Sequence, residues 1–300
     1  MGARAGNNSG QGRTMTDASL PEPERAAPPP ENALALRGAR IDRYQLKACI
    51  AADRRREVFR AYDPAQDREV VIRLMRDAAD PEAAHRTLVQ ARALTRLEHR
   101  NVQRLHDVGT HWGRVFVALE PGRDPTLAAW LRVGQSFERR AAALLEAGEG
   151  LAAAHAAGIV HGDFSTITAR VRNVGTTRNT VPATYVVEFA AERGLQMAGA
   201  ATTAYMAPEL FDGAAPSEAS DQFAYCVATF VALTGAWPYS GDTYDTRAAS
   251  VRSGRIMIDE RARALPPGVL DALTRGLAVD PRDRFPSMNA LLEVLRAALS

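Results

Sequence analysis

The chain has 300 residues, 46% of them hydrophobic, with 37 basic and 35 acidic side chains and a formal net charge of +2. That length allows one large domain or two lobes with an ample core, and the near-balanced charge excludes a global pull toward nucleic acid or a membrane surface. Cys49 and Cys226 are far apart and lack metal-ligand spacing, so a reducing, cytoplasmic setting is expected instead of a disulfide framework.

Residues 1–12 contain no apolar signal region. Residues 1–40 are rich in Gly, Ser, Pro and Ala, include Pro28-Pro29-Pro30, and show no sustained periodicity. Such a segment buries too little apolar surface to offset its ordering entropy, so a disordered arm is expected. Thr14, Thr16 and Ser19 are its candidate docking or phosphorylation positions. From Tyr44 the pattern changes. Residues 44–50 alternate like a half-buried strand, with Leu46, Ala48 and Ile50 inward and Lys47, the only lysine, outward. Residues 58–62 and 69–74 read as further strands. Residues 81–97 read as a helix with Leu88, Ala91, Leu94 and Leu97 on one stripe. Strands over 102–108 and 114–119 complete a small antiparallel lobe spanning 41–122.

After the joint at Glu120-Pro121-Gly122 the periodicity turns helical: 127–133, 137–157, 218–234, 245–253, 267–277 and 287–299, within a second lobe spanning 123–300. The longest apolar run, 223–235, is too short to cross a bilayer and reads as a buried core helix, so no membrane span is expected. Strands followed by helices make an α+β architecture.

The stretch from Ile159 to Glu209 organises the chain. It contains His161-Gly162-Asp163, then Glu188-Phe189-Ala190 after an apolar run, then Ala207-Pro208-Glu209. Taken singly, Gly162-Asp163 is a turn dipeptide and a lone histidine is usually a satisfied core residue. Their order and spacing resemble the catalytic loop, metal-binding tripeptide and activation-segment end of protein kinases. The resemblance, closest to the bacterial serine/threonine kinase family, runs from Tyr44 to Ser300. It implies a two-lobed, protein-kinase-like α+β fold with a small antiparallel β-sheet lobe and a larger, mainly helical lobe. It further implies that Glu209 and Arg284 form a buried ion pair and that Asp221 accepts backbone N–H bonds from the catalytic loop. Residues 97–102 would join the first-lobe helix to the next strand, and Gly235-Ala236-Trp237-Pro238-Tyr239 also fits.

The positions that the resemblance assigns to nucleotide are Val58, Arg73, Gln90, Leu119, Glu120, Thr168 and Glu188, and here the chain departs from the family. The phosphate-covering Gly-x-Gly-x-x-Gly becomes Ala51-Ala52-Asp53-Arg54-Arg55-Arg56, which puts a carboxylate beside the expected phosphates. The three arginines either attract an anion or form a solvated turn, the commoner fate of a charge run. Arg73 replaces the lysine of Val-Ala-Ile-Lys, giving a planar fork for a compact ammonium. Val71 adds methyl groups above the expected adenine, and Gln90 replaces the glutamate that would pair with the lysine. Asp163, the catalytic candidate, is kept without the arginine that normally precedes it. Thr168 replaces the metal-binding asparagine, and Arg170 falls at the apolar adenine floor. Glu188 replaces the metal-binding aspartate and would be at most a weak metal ligand, because its extra methylene strains an octahedral Mg²⁺ site. The register between Thr168 and Glu188 stays open, since 171–184 is about seven residues longer than the family usually has.

Structural positions match the family while nucleotide positions do not. The chain therefore reads as a pseudokinase, a protein-binding regulator or scaffold in bacterial Ser/Thr phosphorylation signalling with weak or absent phosphotransfer. Its expected partner is a protein, either a kinase, a substrate or another signalling protein, and not nucleic acid. The alternative is a divergent active serine/threonine kinase, for which Asp163, Glu188 and Arg73 keep the expected charge sign and Thr202 sits at the substrate-facing threonine. ATP and Mg²⁺ are cofactors only on that alternative. A nucleotide sensor, or an enzyme using ATP for another transfer, has no positive motif.

Overall fold

The computed structural model describes residues 38–52, 56–75, 81–122, 124–172, 183–189 and 203–300. The first lobe is a six-stranded antiparallel sheet in the order β1-β2-β3-β4-β6-β5. Its strands are β1 (Arg40–Ile41), β2 (Tyr44–Ala52), β3 (Arg56–Asp63), β4 (Arg68–Met75), β5 (Leu105–His111) and β6 (Arg114–Leu119), with helix α1 (Pro81–Arg96) between β4 and β5. Strand β4 explains how the sheet serves two cores. Val70, Ile72 and Leu74 enter one apolar cluster with Tyr44, Leu46, Phe59 and Phe116. Val71 and Met75 pack on the other face against Ala91 and Leu94 of α1. A period of two sorts alternate residues to opposite faces.

Two expectations for this lobe are corrected. Residues 102–104 precede β5, and Val102 instead forms a parallel bridge with Val186. Ile50 does not face inward but is 49% exposed. Register shifts at Leu46/Ala48 and Cys49/Ala51 break the alternation of β2, since each bulge flips the faces downstream of it. Lys47 is exposed, as expected, 3.9 Å from Glu69.

The second lobe holds α2 (Leu127–Arg132), α3 (Phe137–Ala156), the ribbon β7 (Ala169–Arg172) with β8 (Ala183–Val186), and α4 (Pro208–Phe211). It continues through α5 (Glu218–Thr234), α6 (Tyr244–Arg252), α7 (Glu260–Arg263), α8 (Pro267–Gly276) and α9 (Met288–Leu299). Strands β7 and β8 and the short helices α4 and α7 were not expected; segments of four residues carry too little periodicity to register. The apolar run is the central helix α5, buried from Ser220 to Thr234, with a Ser217/Ser220 capping box at its start and left-handed Gly235 at its end.

A polar seam joins the lobes. Asn101 and Gln103 exchange backbone hydrogen bonds with Val186, and the Asn101 side chain donates through Nδ2 to the Thr184 carbonyl at 2.6 Å. Glu146 of α3 accepts from both the Thr184 amide and Arg100. Gly150 lets the segment before β5 pass: a Cβ there would lie 2.2 Å from the Asn101 carbonyl oxygen.

Candidate nucleotide cleft and catalytic loop

The catalytic loop is held from below. The Asp221 carboxylate accepts from the His161 amide at 2.7 Å and the Gly162 amide at 2.8 Å, the bonds expected of it, and it also meets His155 Nε2 at 2.9 Å. The buried His161 ring contacts the Val187 carbonyl at 3.0 Å and stacks beside Phe189 at 4.7 Å. Asp163 is half-buried at the loop's crest. Thr168 is buried and faces the loop: its hydroxyl accepts from the Ser165 amide at 2.9 Å and lies 3.2 Å from the Asp163 carbonyl oxygen. It ties the loop together, and its one oxygen is engaged within that loop. Below α5, Arg284 grips Glu209 with two bonds of 2.7 and 2.8 Å, its side chain fully excluded from solvent. That pair is the expected one.

On the opposite wall, Arg73 lies across from Val58 on β3 and Val117 on β6. Its Nη2 is 3.2 Å from Glu188 Oε1. Arg56, two residues before Val58 on the same face of β3, puts Nη1 and Nη2 at 3.3 and 3.2 Å from Glu188 Oε2. Both carboxylate oxygens are thus taken by guanidinium groups. Burial works to raise the Glu188 pKa, but the charges of Arg73 and Arg56, the Arg56 hydrogen bond and the field of Arg170 outweigh it. The carboxyl is held below the usual range, as an anion. Glu188 also adopts φ +67°, a left-handed conformation costing a non-glycine residue about 1–2 kcal/mol. Gln90 is half-buried on α1 and uncharged, so the carboxylate meeting Arg73 comes from Glu188. Arg73, Leu94, Leu105, Leu119, Glu188 and Phe189 enclose a cavity of about 30 Å³. That is room for roughly one water molecule.

The hinge side is equally occupied. The Glu120 carbonyl accepts from Gln103 Nε2 at 3.0 Å, and its amide donates to the Arg104 carbonyl at 3.2 Å. Half-buried Arg170 on β7 donates to the Asp124 carbonyl at 2.6 Å, and Tyr185 donates to the Asp124 carboxylate at 2.9 Å. A Cβ on Gly122 would meet Tyr185 and the Arg170 stem at 3.2 and 3.8 Å. The ribbon therefore packs directly under the hinge.

Sequence reasoning left Arg56 in a run that either attracts an anion or forms a solvated turn, without naming Glu188 as its partner, and it missed Gln103, Asp124 and Tyr185. Spacing two before Val58 was the signal available for Arg56. For the others there was none, because contacts across the lobes have no local period. Asp53, Arg54, Arg55 and Thr202 lie outside the described residues.

A sequence profile of the protein tyrosine and serine/threonine kinase family matches residues 46–295. The chain belongs to this family. As a kinase-family chain it is 29% identical over 275 residues to serine/threonine-protein kinase PknE of Mycobacterium tuberculosis, covering 88% of this chain and 47% of that protein. It is 30% identical over 275 residues to PknH of the same organism, covering 88% and 43%. The chain thus spans about half the length of the curated relatives it matches. The crystal structure of the M. tuberculosis PknI kinase domain superposes with a TM-score of 0.68 at 18% identity, covering 87% of this chain and 98% of that domain. At that identity the likeness establishes the two-lobed α+β kinase fold. Among the described residues, no helix is long and apolar enough to cross a membrane.

Protein kinases as a class use ATP with Mg²⁺, which bridges the phosphates. The described donors do not fit a divalent cation. Mg²⁺ needs oxygens free to approach in octahedral geometry, whereas both Glu188 oxygens face guanidinium groups and the Thr168 oxygen closes its own loop.

Proposed function

We propose that this kinase-family chain is a pseudokinase, a cytoplasmic, protein-binding regulator or scaffold in Ser/Thr phosphorylation signalling. The observation that carries the reading is the Glu188 carboxylate clamped by Arg56 and Arg73 at 3.2 Å on each oxygen. Phosphoryl transfer depends on positioning and charge neutralisation, with little covalent work by the protein. Losing one preorganised electrostatic group costs about 10²–10³ in rate. With the metal carboxylate engaged, the asparagine replaced by an inward Thr168 and the adenine floor replaced by Arg170, several such groups are altered together. What remains is a rigid kinase scaffold whose natural use is binding another protein, and the larger helical lobe is the surface proposed for it.

One observation favours the second reading, a divergent active serine/threonine kinase. The backbone on either side of Asp163 is held by Asp221 and Thr168, so the loop that would carry a catalytic base is assembled. The deciding experiment is γ-phosphoryl transfer from radiolabelled ATP with Mg²⁺ to generic protein acceptors. We expect no transfer above that of the Asp163→Asn variant. Transfer abolished by Asp163→Asn, or activity gained by combining Arg73→Lys with Glu188→Asp, would establish the active-kinase reading instead.

A further inference from the structure

Helix α1 has two unlike faces. Ala91 and Leu94 turn inward and pack with Leu105 and Val117 of the sheet. His85, Val89, Arg92 and Arg96, at i, i+4, i+7 and i+11, share the opposite face and are exposed, Val89 by 52%. The stripe runs about 16 Å along the helix. Arg100 and Arg104, farther along the chain, are also exposed but pair with Glu146 and Glu98. Arg92 and Arg96 form no ion pair among the described residues, so two uncompensated guanidinium groups stand beside one exposed apolar side chain.

We infer that this outer face of α1 is the docking site for the chain's own acidic segment, residues 17–24, which lies outside the described residues. The segment carries Asp17, Glu22 and Glu24 with no basic residue, and Leu20 stands among the carboxylates as Val89 stands beside the arginines. Opposite charge selects this partner, and the Leu20–Val89 contact adds an attraction that salt does not screen. The tether is long enough. Residues 25–37 lead to Gly38, whose amide donates to the Leu46 carbonyl beside β1, at one edge of the sheet. Crossing from β1 to β5 takes five strand spacings, about 24 Å, and passing round a helix adds about 10–12 Å. The fourteen peptide steps from Glu24 to Gly38 extend to roughly 46–50 Å. Tethering also raises the effective concentration of the segment to about millimolar, so exposed ion pairs that are weak singly suffice. The docked segment covers Val89 and closes the outer face of α1 to other proteins, whether or not the chain transfers phosphate.

The test is disulfide trapping under mild oxidation in the full chain carrying Cys49→Ala, Leu20→Cys and Val89→Cys; Cys226 is fully buried and stays out of the exchange. We expect a cross-link within one chain, at a rate independent of protein concentration and slowed in about 1 M salt, where the Debye length is about 3 Å. Leu20→Cys with Ile50→Cys is the control, because Ile50 is 49% exposed on β2, the strand next to β1, and the tether reaches it as readily. Arg92→Glu with Arg96→Glu should slow the Val89 cross-link about tenfold and leave the Ile50 control unchanged. Adding Asp17→Arg, Glu22→Arg and Glu24→Arg should restore the rate by swapping the charges, which a misfolded helix would not allow. Equal rates at Ile50 and Val89 overturn the inference, as random collision of a tethered chain. A rate unchanged by the two arginine reversals, or not restored by the charge swap, overturns it too. Cross-links between two chains that grow with concentration overturn it in favour of an interface between copies.

Discussion

Arg284 and Glu209 have no water to fall back on. The Arg284 side chain has no exposure and Glu209 retains 18%, so either charge left alone is an uncompensated charge in the core. Arg284→Ala or Glu209→Ala is expected to cost roughly 3–5 kcal/mol in urea unfolding. Glu188 makes a different prediction because its charge, and not its burial, governs it. Its folded pKa is depressed by Arg73 and Arg56 against the opposing effect of burial. The stabilisation is therefore fully present above the unfolded carboxyl value, roughly pH 4.3, and is lost as pH falls through the lower folded value. Unfolding free energies of wild type and Glu188→Gln, compared at stepped pH, should differ most near neutrality and converge in acid. A difference growing toward acid would refute the clamp. Arg73 and Glu188 were legible one by one as altered positions. Their meeting, and the arrival of Arg56, depended on two strands and a loop from different lobes.

Helix α3 carries two glycines that test the packing of an element. A Cβ at Gly148 would lie 2.5 Å from Leu292 Cδ2 and 3.0 Å from the Tyr225 hydroxyl, both side chains buried in the core. At Gly150 it would lie 2.2 Å from the Asn101 carbonyl oxygen, a backbone atom held in the seam. Alanine gains up to about 1 kcal/mol over glycine inside a helix, and overpacking costs about 1–3 kcal/mol. Both alanines should thus be destabilising in thermal unfolding, Gly150→Ala more than Gly148→Ala, because its obstacle is backbone and not side chain. Helices of this length were readable because a 3.6-residue period repeats its signal over several turns, and the structure adds N-caps at Ser136, Ser217 and Ser287. Strand β2 was less readable, since its bulges arise from pairing with β3 and put Ile50 on the outer face.

The described residues form three apolar clusters, and Phe189 packs against two of them, the core of the second lobe and the one between the sheet and α1. Its ring also sits 4.7 Å from that of His161, tying the catalytic loop to α1 and β5 through one side chain. Phe189→Ala should cost no more than about 3 kcal/mol, the low end for a buried phenylalanine, because Phe189 is only partly buried. Its sharper signature is cooperativity: calorimetry should resolve two unfolding transitions in the variant where wild type shows one. A single transition in the variant would mean that the Asn101–Val186 seam and the Glu188 clamp couple the lobes without Phe189.

The sequence by itself determined the two-lobed α+β order and the central buried helix through residue order and local period, and the resemblance its motifs carry implied the family, the Glu209–Arg284 pair and the role of Asp221. It also marked the nucleotide positions as altered. Only the tertiary structure decided what the altered residues do instead: Thr168 closes its loop, Arg170 fills the space under the hinge, and Arg56 joins Arg73 on Glu188. The reason is physical. A substituted residue announces the contact it has lost through its chemistry, whereas the contact it has gained depends on which distant side chains the folded lobes bring within about 3 Å.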